Sequence, residues 1–231
     1  MDIKECKNII NVIEGRVMDN KNKLVQKKLS IEELYELYNK YMKFDFPDDE
    51  LKKFEHLKQL IEEKKYLCTG FFENDELKSY MLFTYENEKS PICTLDFFAV
   101  NPKYRNSGIG SKTIELIKSQ KDFFEDGIIA EIEDPDFAKT KEEKEIQEKR
   151  FEFYKKNGFI LTGIKSVCFD VHFLIIYLPQ KNRLGDAEIS KNLDLIYKAI
   201  FPKSDYEKEI KIFQAVDKAD SLAKNQRFFA N

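Results

Sequence analysis

The stretch Leu95–Leu116, LDFFAVNPKYRNSGIGSKTIEL, leaves the chain few folds to choose from. A hydrophobic strand runs into a basic turn, Arg105-x-x-Gly108-x-Gly110, and a helix follows. Ile109, Thr113, Leu116 and Ile117 fall at i, i+4, i+7 and i+8, which is helical spacing. A strand, a glycine turn and a helix N-terminus together make an anion site. Backbone N–H groups converge there and the helix dipole adds partial positive charge. Gly108 and Gly110 would let phosphates approach where a Cβ would obstruct them. The turn is not a P-loop, because no Gly-Lys-Ser/Thr follows. It also lacks the third glycine of the dinucleotide fingerprint, which excludes a doubly wound nucleotide binder.

Downstream lies a strand-like segment, Gly127–Glu133, then a helix ending in Phe153-Tyr154-Lys155-Lys156-Asn157-Gly158-Phe159. These two motifs, in this order, resemble the GNAT superfamily of acyl-CoA-dependent N-acyltransferases. The family's pyrophosphate turn follows a strand ending in an Ala-Val-like pair, here Ala99-Val100, and its later helix ends in F/L-Y-x-x-x-G-F. The resemblance covers roughly residues 24–180. It implies an α/β fold, a central mixed and mostly antiparallel sheet flanked by helices. It implies acetyl-CoA as cosubstrate, with no metal. Backbone groups of Phe98 and Val100 would take the pantetheine arm. The N–H groups of Arg105, Asn106, Ser107, Gly108, Ile109, Gly110 and Ser111 would take the pyrophosphate. The Val100 amide could also support the carbonyl oxygen.

The rest of the chain fits that frame. A helix-prone leader, Ile3–Val17, precedes a short strand at Leu24–Leu29. Ser30-Ile31-Glu32-Glu33 is a capping box opening a helix, with Ile31, Leu34, Tyr35, Tyr38, Tyr41 and Met42 expected on one face. Phe46-Pro47-Asp48 breaks it, and Leu51, Phe54, Leu57, Leu60 and Ile61 mark a second helix. Tyr66–Phe72, Leu77–Thr84 and Ile92–Val100 read as strands, the first two joined through Glu73-Asn74-Asp75-Glu76. Thr140-Lys141-Glu142-Glu143 is a second capping box, and Gly158 stands where a helix-ending glycine belongs. Phe159–Lys165 and Val171–Leu178 complete the strands. The expected division is a leader at 1–23, the acetyltransferase domain at 24–180, and a helical extension at 181–231. In the extension, Ile189, Leu193, Ile196, Tyr197 and Ile200 mark one helix, and Tyr206, Ile210, Phe213 and Val216 suggest another. Such short helices are marginal alone, so the extension is expected to pack back on the domain. Bridging a homodimer or binding another partner are the alternatives.

Composition narrows the function classes. A net charge of −3 gives no electrostatic reason to bind nucleic acid or an anionic membrane. No apolar run is long enough for a membrane span and the N-terminus has no signal-peptide core, so a cytoplasmic location is expected. Cys6, Cys68, Cys93 and Cys168 are scattered and read as free thiols. With only His56 and His172, a histidine-built metal site is not expected.

Acyl transfer to an amine needs stabilisation of the oxyanion, a neutral amine, and a proton for the leaving thiolate. By resemblance, Tyr154 is the candidate acid; the alternative is a packing aromatic sharing a helix face with Phe151 and Ile146. Glu131 is the candidate base and Asp96 its alternative. Strand alternation places Glu131 and Glu133 on one face with Ile129, where two carboxylates repel and raise a pKa. Glu133 and Arg150 are candidates for substrate binding, although Arg150 could equally pair with a nearby carboxylate. Glu131, Glu133, Asp134 and Asp136 would form an acidic mouth suited to a small cationic amine or a peptide amine. No cysteine falls in either motif, so direct attack in a ternary complex is expected. The alternative is a CoA-binding sensor without turnover.

Overall fold

Asn74 and Asp75 have φ of 53° and 59°, the paired left-handed conformation of a tight hairpin turn. They join β2 (Tyr66–Glu73) to β3 (Glu76–Thr84). In the computed structural model, which describes residues 23–214 apart from Asp49 and Lys121, this hairpin seeds an eight-stranded sheet. The other strands are β1 (Val25–Lys28), β4 (Ile92–Val100), β5 (Gly127–Glu133), β6 (Ile160–Cys168), β7 (Val171–Leu178) and β8 (Ile210–Gln214). Their order is β1-β2-β3-β4-β5-β7-β6-β8. Every neighbouring pair is antiparallel except β4 and β5. A parallel pair needs a crossover, and α3 (Ile109–Ser119) supplies it.

Strand alternation gives the sheet two apolar faces, each with its own core. One face carries α1 (Ile31–Leu37), α2 (Phe54–Glu62) and α5 (Asp186–Ile200), whose Leu34, Leu57 and Leu193 pack with Tyr80, Phe97 and Ile129. The other carries α3 and α4 (Lys141–Lys156); Ile114 and Ile117 pack there with Phe83, Leu95 and Ile128.

The capping box at Ser30 forms in full: Ser30 Oγ accepts from the Glu33 N–H, and Glu33 accepts from the Ser30 N–H. Such a cap stabilises a helix by about 1 kcal/mol. The face of α1 differs from expectation. Leu37 is buried and Tyr35 is left 55% exposed, and Tyr38–Met42 continue the helix as a π turn that buries Met42. At Thr140 only half the box forms. Thr140 Oγ1 accepts from Glu143 N–H, but the Glu143 carboxylate accepts from Lys139 N–H rather than from Thr140. The expected leader helix lies outside the described residues.

The described part of the extension, residues 181–214, packs back on the sheet. α5 buries Ile189, Leu193, Ile196, Tyr197 and Ile200. The second predicted helix is shorter than expected: α6 (Lys203–Glu209) stops before Ile210, and Ile210–Gln214 form β8, paired to β6 from Cys168↔Ile210 to Ile164↔Gln214. Alternation of Ile210 and Ile212 against an open strand edge outweighs the weak helical spacing there.

Candidate active site

β4 and β5 pair from Ile92↔Gly127 to Leu95↔Ala130 and then part. β4 stays with β3 to Val100↔Ser79, while β5 stays with β7 to Glu133↔Phe173. The cause is a bulge. Leu82 opposes Phe97 and Phe83 opposes Leu95, so Asp96 is an extra residue and the strand bends. The Asn101 N–H donates to the Lys78 carbonyl at 2.9 Å, which fixes the hydrogen-bonding phase. By antiparallel alternation, Ala99 turns its polar groups to β3, while Phe98 and Val100 turn theirs to the gap.

The gap leads to the start of α3. Gly108 precedes the helix with φ +84° and no heavy atom within 4 Å of the position a Cβ would take. The left-handed turn favours glycine, and the space beside it is open. Gly110 answers to packing instead: a Cβ would lie 3.1 Å from the Phe153 ring. The first N–H groups of a helix have no acceptor inside it, which leaves those of Ile109, Gly110 and Ser111 for a ligand. Arg105 N–H and Ser107 N–H instead turn inward, to Pro102 and Tyr104 carbonyls at 3.4 Å. The Arg105 guanidinium donates to Asp45 at 2.6 Å, and its Nε donates to the Val100 carbonyl at 3.2 Å. Asp45 also accepts from Tyr80, so the turn is clasped to the end of the helix that begins with α1.

The two sequence motifs touch. Phe153, at the end of α4, packs on Gly110 and on Phe98, 6.2 Å between ring centroids. Beyond it α4 ends in a Schellman turn. Phe159 N–H reaches the Tyr154 carbonyl, Gly158 N–H reaches that of Lys155, and Gly158 has φ +99°. The Tyr154 and Phe159 rings, 5.0 Å apart, supply the apolar contact that accompanies this turn. Tyr154 packs on Phe153 and Phe159, whereas Ile146 is 58% exposed. No group among the described residues hydrogen-bonds the Tyr154 hydroxyl. Burial pushes its pKa up to about 12, against a smaller opposing pull from Arg150, so it holds its proton at neutral pH.

The candidate bases lie on the opposite face from Tyr154. Asp96 accepts from Lys52 Nζ at 2.6 Å through one oxygen and from the Tyr66 hydroxyl through the other. Glu131 accepts from Ser166 Oγ at 2.8 Å and from the Tyr197 hydroxyl, both on Oε1. Burial raises its pKa, partly offset by those two hydrogen bonds. The acidic mouth is largely neutralised from within. Glu133 pairs with Arg150 and Asp134 with Lys165, each at 2.6 Å, and Lys144 stands 3.9 Å from Asp136. Glu133 and Arg150 are therefore each other's partners. Cys68, Cys93 and Cys168 are free thiols. Burial pushes all three pKa values up, that of Cys168 to about 12, which suits no nucleophile.

Sequence reasoning missed Lys52, Tyr66, Ser166 and Tyr197. Tyr197 alone left a signal. It sits on the apolar face of α5, and a buried tyrosine hydroxyl needs a polar partner.

Residues 31–159, more than half of the chain, match the Acetyltransferase (GNAT) family, and the chain belongs to that family. Among solved structures, a putative acetyltransferase of the GNAT family from Bacteroides thetaiotaomicron superposes with a TM-score of 0.57. It is 19% identical, over 74% of this chain and 93% of its own. The ribosomal-protein-S18-alanine N-acetyltransferase of Escherichia coli gives 0.46 at 16% identity, over 71% and 97%. A spermidine N-acetyltransferase from Vibrio cholerae gives 0.48 at 12%, over 68% and 94%. These likenesses concern the fold alone. No curated protein matches the chain. Among the described residues no helix is long and apolar enough to cross a membrane.

Proposed function

We propose that the protein transfers an acetyl group from acetyl-CoA to a primary amine by direct attack in a ternary complex. The observation that carries this reading is the continuity of the site. Outward-facing backbone at Phe98 and Val100 leads to the free N–H groups at the start of α3, with the Tyr154 phenol on the adjoining face.

The residues present suit acetyl-CoA. Backbone groups of Phe98 and Val100 hold the pantetheine arm as an added strand would be held. The N–H groups of Asn106, Gly108, Ile109, Gly110 and Ser111 hold the pyrophosphate; those of Arg105 and Ser107 are taken internally. When bound, acetyl-CoA supplies the thioester carbonyl that a neutral amine attacks, a C–N bond forming and the C–S bond breaking. The Val100 N–H stabilises the charge on the carbonyl oxygen. Tyr154 gives its proton to the departing sulfur and regains one from solvent. Glu131 takes the proton the amine loses, directly or through water. Glu131 is preferred to Asp96 because both Asp96 oxygens already accept hydrogen bonds.

The test is calorimetric titration with acetyl-CoA, followed by amine-dependent release of free thiol. Micromolar binding with amine-dependent thiol release supports the reading. No binding at millimolar acetyl-CoA sinks it.

A further inference from the structure

α5 lies beyond the residues matched to the family, yet one of its side chains reaches the gap between β4 and β5. Asp96, Glu131, Glu133 and Asp134 lie along these strands and just past the end of β5. Three of them have a cation in contact: Lys52 with Asp96, Arg150 with Glu133, and Lys165 with Asp134, each at 2.6 Å. Glu131 has none. Its direct partners are two neutral hydroxyls, Ser166 and Tyr197, and both bond the same oxygen, Oε1. No donor among the described residues reaches Oε2.

A largely buried carboxylate without a counter-ion is costly, and a bound cation relieves that cost. We propose that Glu131 Oε2 receives the ammonium of the acyl acceptor before transfer, and that Tyr197 and Ser166 are positioning residues that hold the carboxylate for it. This rests on the amine-acetylating reading above. The groups facing Glu131 are Tyr197 from α5, Ser166 and Cys168 from β6, Asp96 from β4, and Lys52 from the segment before α2. Asp96 and Lys52 neutralise one another and the Cys168 thiol is protonated, so the hydroxyls alone anchor the carboxylate. The acceptor class follows. Glu133 and Asp134 at the rim are already paired, so a second positive charge on the acceptor gains little, and the site takes a primary amine with one cationic head.

The probe is propylammonium, added to the full chain saturated with CoA, while side-chain carboxylate carbons are followed by NMR. In the wild type, the Glu131 resonance should move saturably, with Asp96, Glu133 and Asp134 nearly still. Tyr197→Phe should weaken this binding about tenfold, the scale of one hydrogen bond to a charged group. Its acetyl-CoA affinity should stay within twofold. Ser166→Ala, a smaller change, should weaken binding severalfold and serves if Tyr197→Phe does not fold. The acid limb of the pH–rate profile should also move to higher pH in Tyr197→Phe, because the lost bond favoured the ionised carboxylate. The diamine 1,3-diaminopropane should bind within about threefold of propylammonium. Movement centred on Asp96 or Glu133, or unchanged probe affinity and pH limb in both variants, overturns the proposal. Diamine binding more than about tenfold tighter overturns the single-charge preference. Wild-type protein that fails to bind CoA overturns the acetyltransferase reading and this inference with it.

Discussion

The two faces of the split sheet solve opposite problems. On the α3–α4 side, Tyr154 ends in a hydroxyl without a hydrogen-bond partner among the described residues, set among Phe153 and Phe159 by a turn spanning a few residues. On the α2–α5 side both candidate bases are tethered, by groups far away in sequence: Lys52 for Asp96, Ser166 and Tyr197 for Glu131. A neutral acid can be left bare in an apolar setting at modest cost, whereas a charged base there must be held. The side of the proposed acid is therefore local and compact, and the side of the proposed base is assembled from distant parts of the chain.

The sharpest way to break this contrast is to damage what both sides share. Gly108→Asp adds a negative charge at the helix start and a side chain at φ +84°. Acetyl-CoA affinity by calorimetry should fall by about 100-fold or more, silencing both faces at once. Tyr154→Phe removes only the acid, so turnover should drop by about 100-fold while acetyl-CoA affinity stays within twofold. Wild-type turnover across pH would remove Tyr154 from the role.

Asp45→Ala probes how the shared turn is held. Its carboxylate is 2% exposed and serves Tyr80 and Arg105, so its loss leaves a buried donor unpaired. About 2 kcal/mol should be lost, lowering the melting temperature by roughly 5 °C. An unchanged melting point would mean that the clasp contributes nothing.

Glu131→Gln sharpens the base side through pH. The folded pKa of Glu131 is raised, so its contribution to stability is full below the unfolded pKa and is lost as pH rises through the folded value. Relative to wild type, Glu131→Gln should thus gain stability on going from pH 4 to pH 8, read as the difference in melting temperature between the two pH values. A pH-independent difference would contradict the burial of that charge. Smallest of all, Arg150→Ala cuts an ion pair whose arginine is 49% exposed, and stability should change by less than about 0.5 kcal/mol.

Much of the acid side was legible in the sequence, because turns, caps and glycines act over a few residues. Gly108 announces a left-handed turn, Gly158 a helix end, and Tyr154-x-x-x-Gly158-Phe159 a Schellman turn with its apolar contact. The strand bounds of β4 and β5 were equally readable from their apolar runs. The base side was not. Which hydroxyl meets Glu131 depends on β7 lying between β5 and β6 and on α5 folding back across them. No spacing encodes that. The face of α1 was misjudged at one position for a related reason: which of Tyr35 and Leu37 turns inward is set by what the helix packs against, and Leu37 is the one buried.

Along its β4 edge, the gap between β4 and β5 offers main chain to whatever enters it. Recognition of that kind is mute about residue identity: at Phe98 and Val100 any strand-forming residue presents the same donors and acceptors. Mutations can accumulate along such a strand without altering what it binds, provided the bend at Asp96 survives. A solved structure only 19% identical to this chain retains the fold, as expected where selection acts on the course of the backbone and spares the letters that spell it.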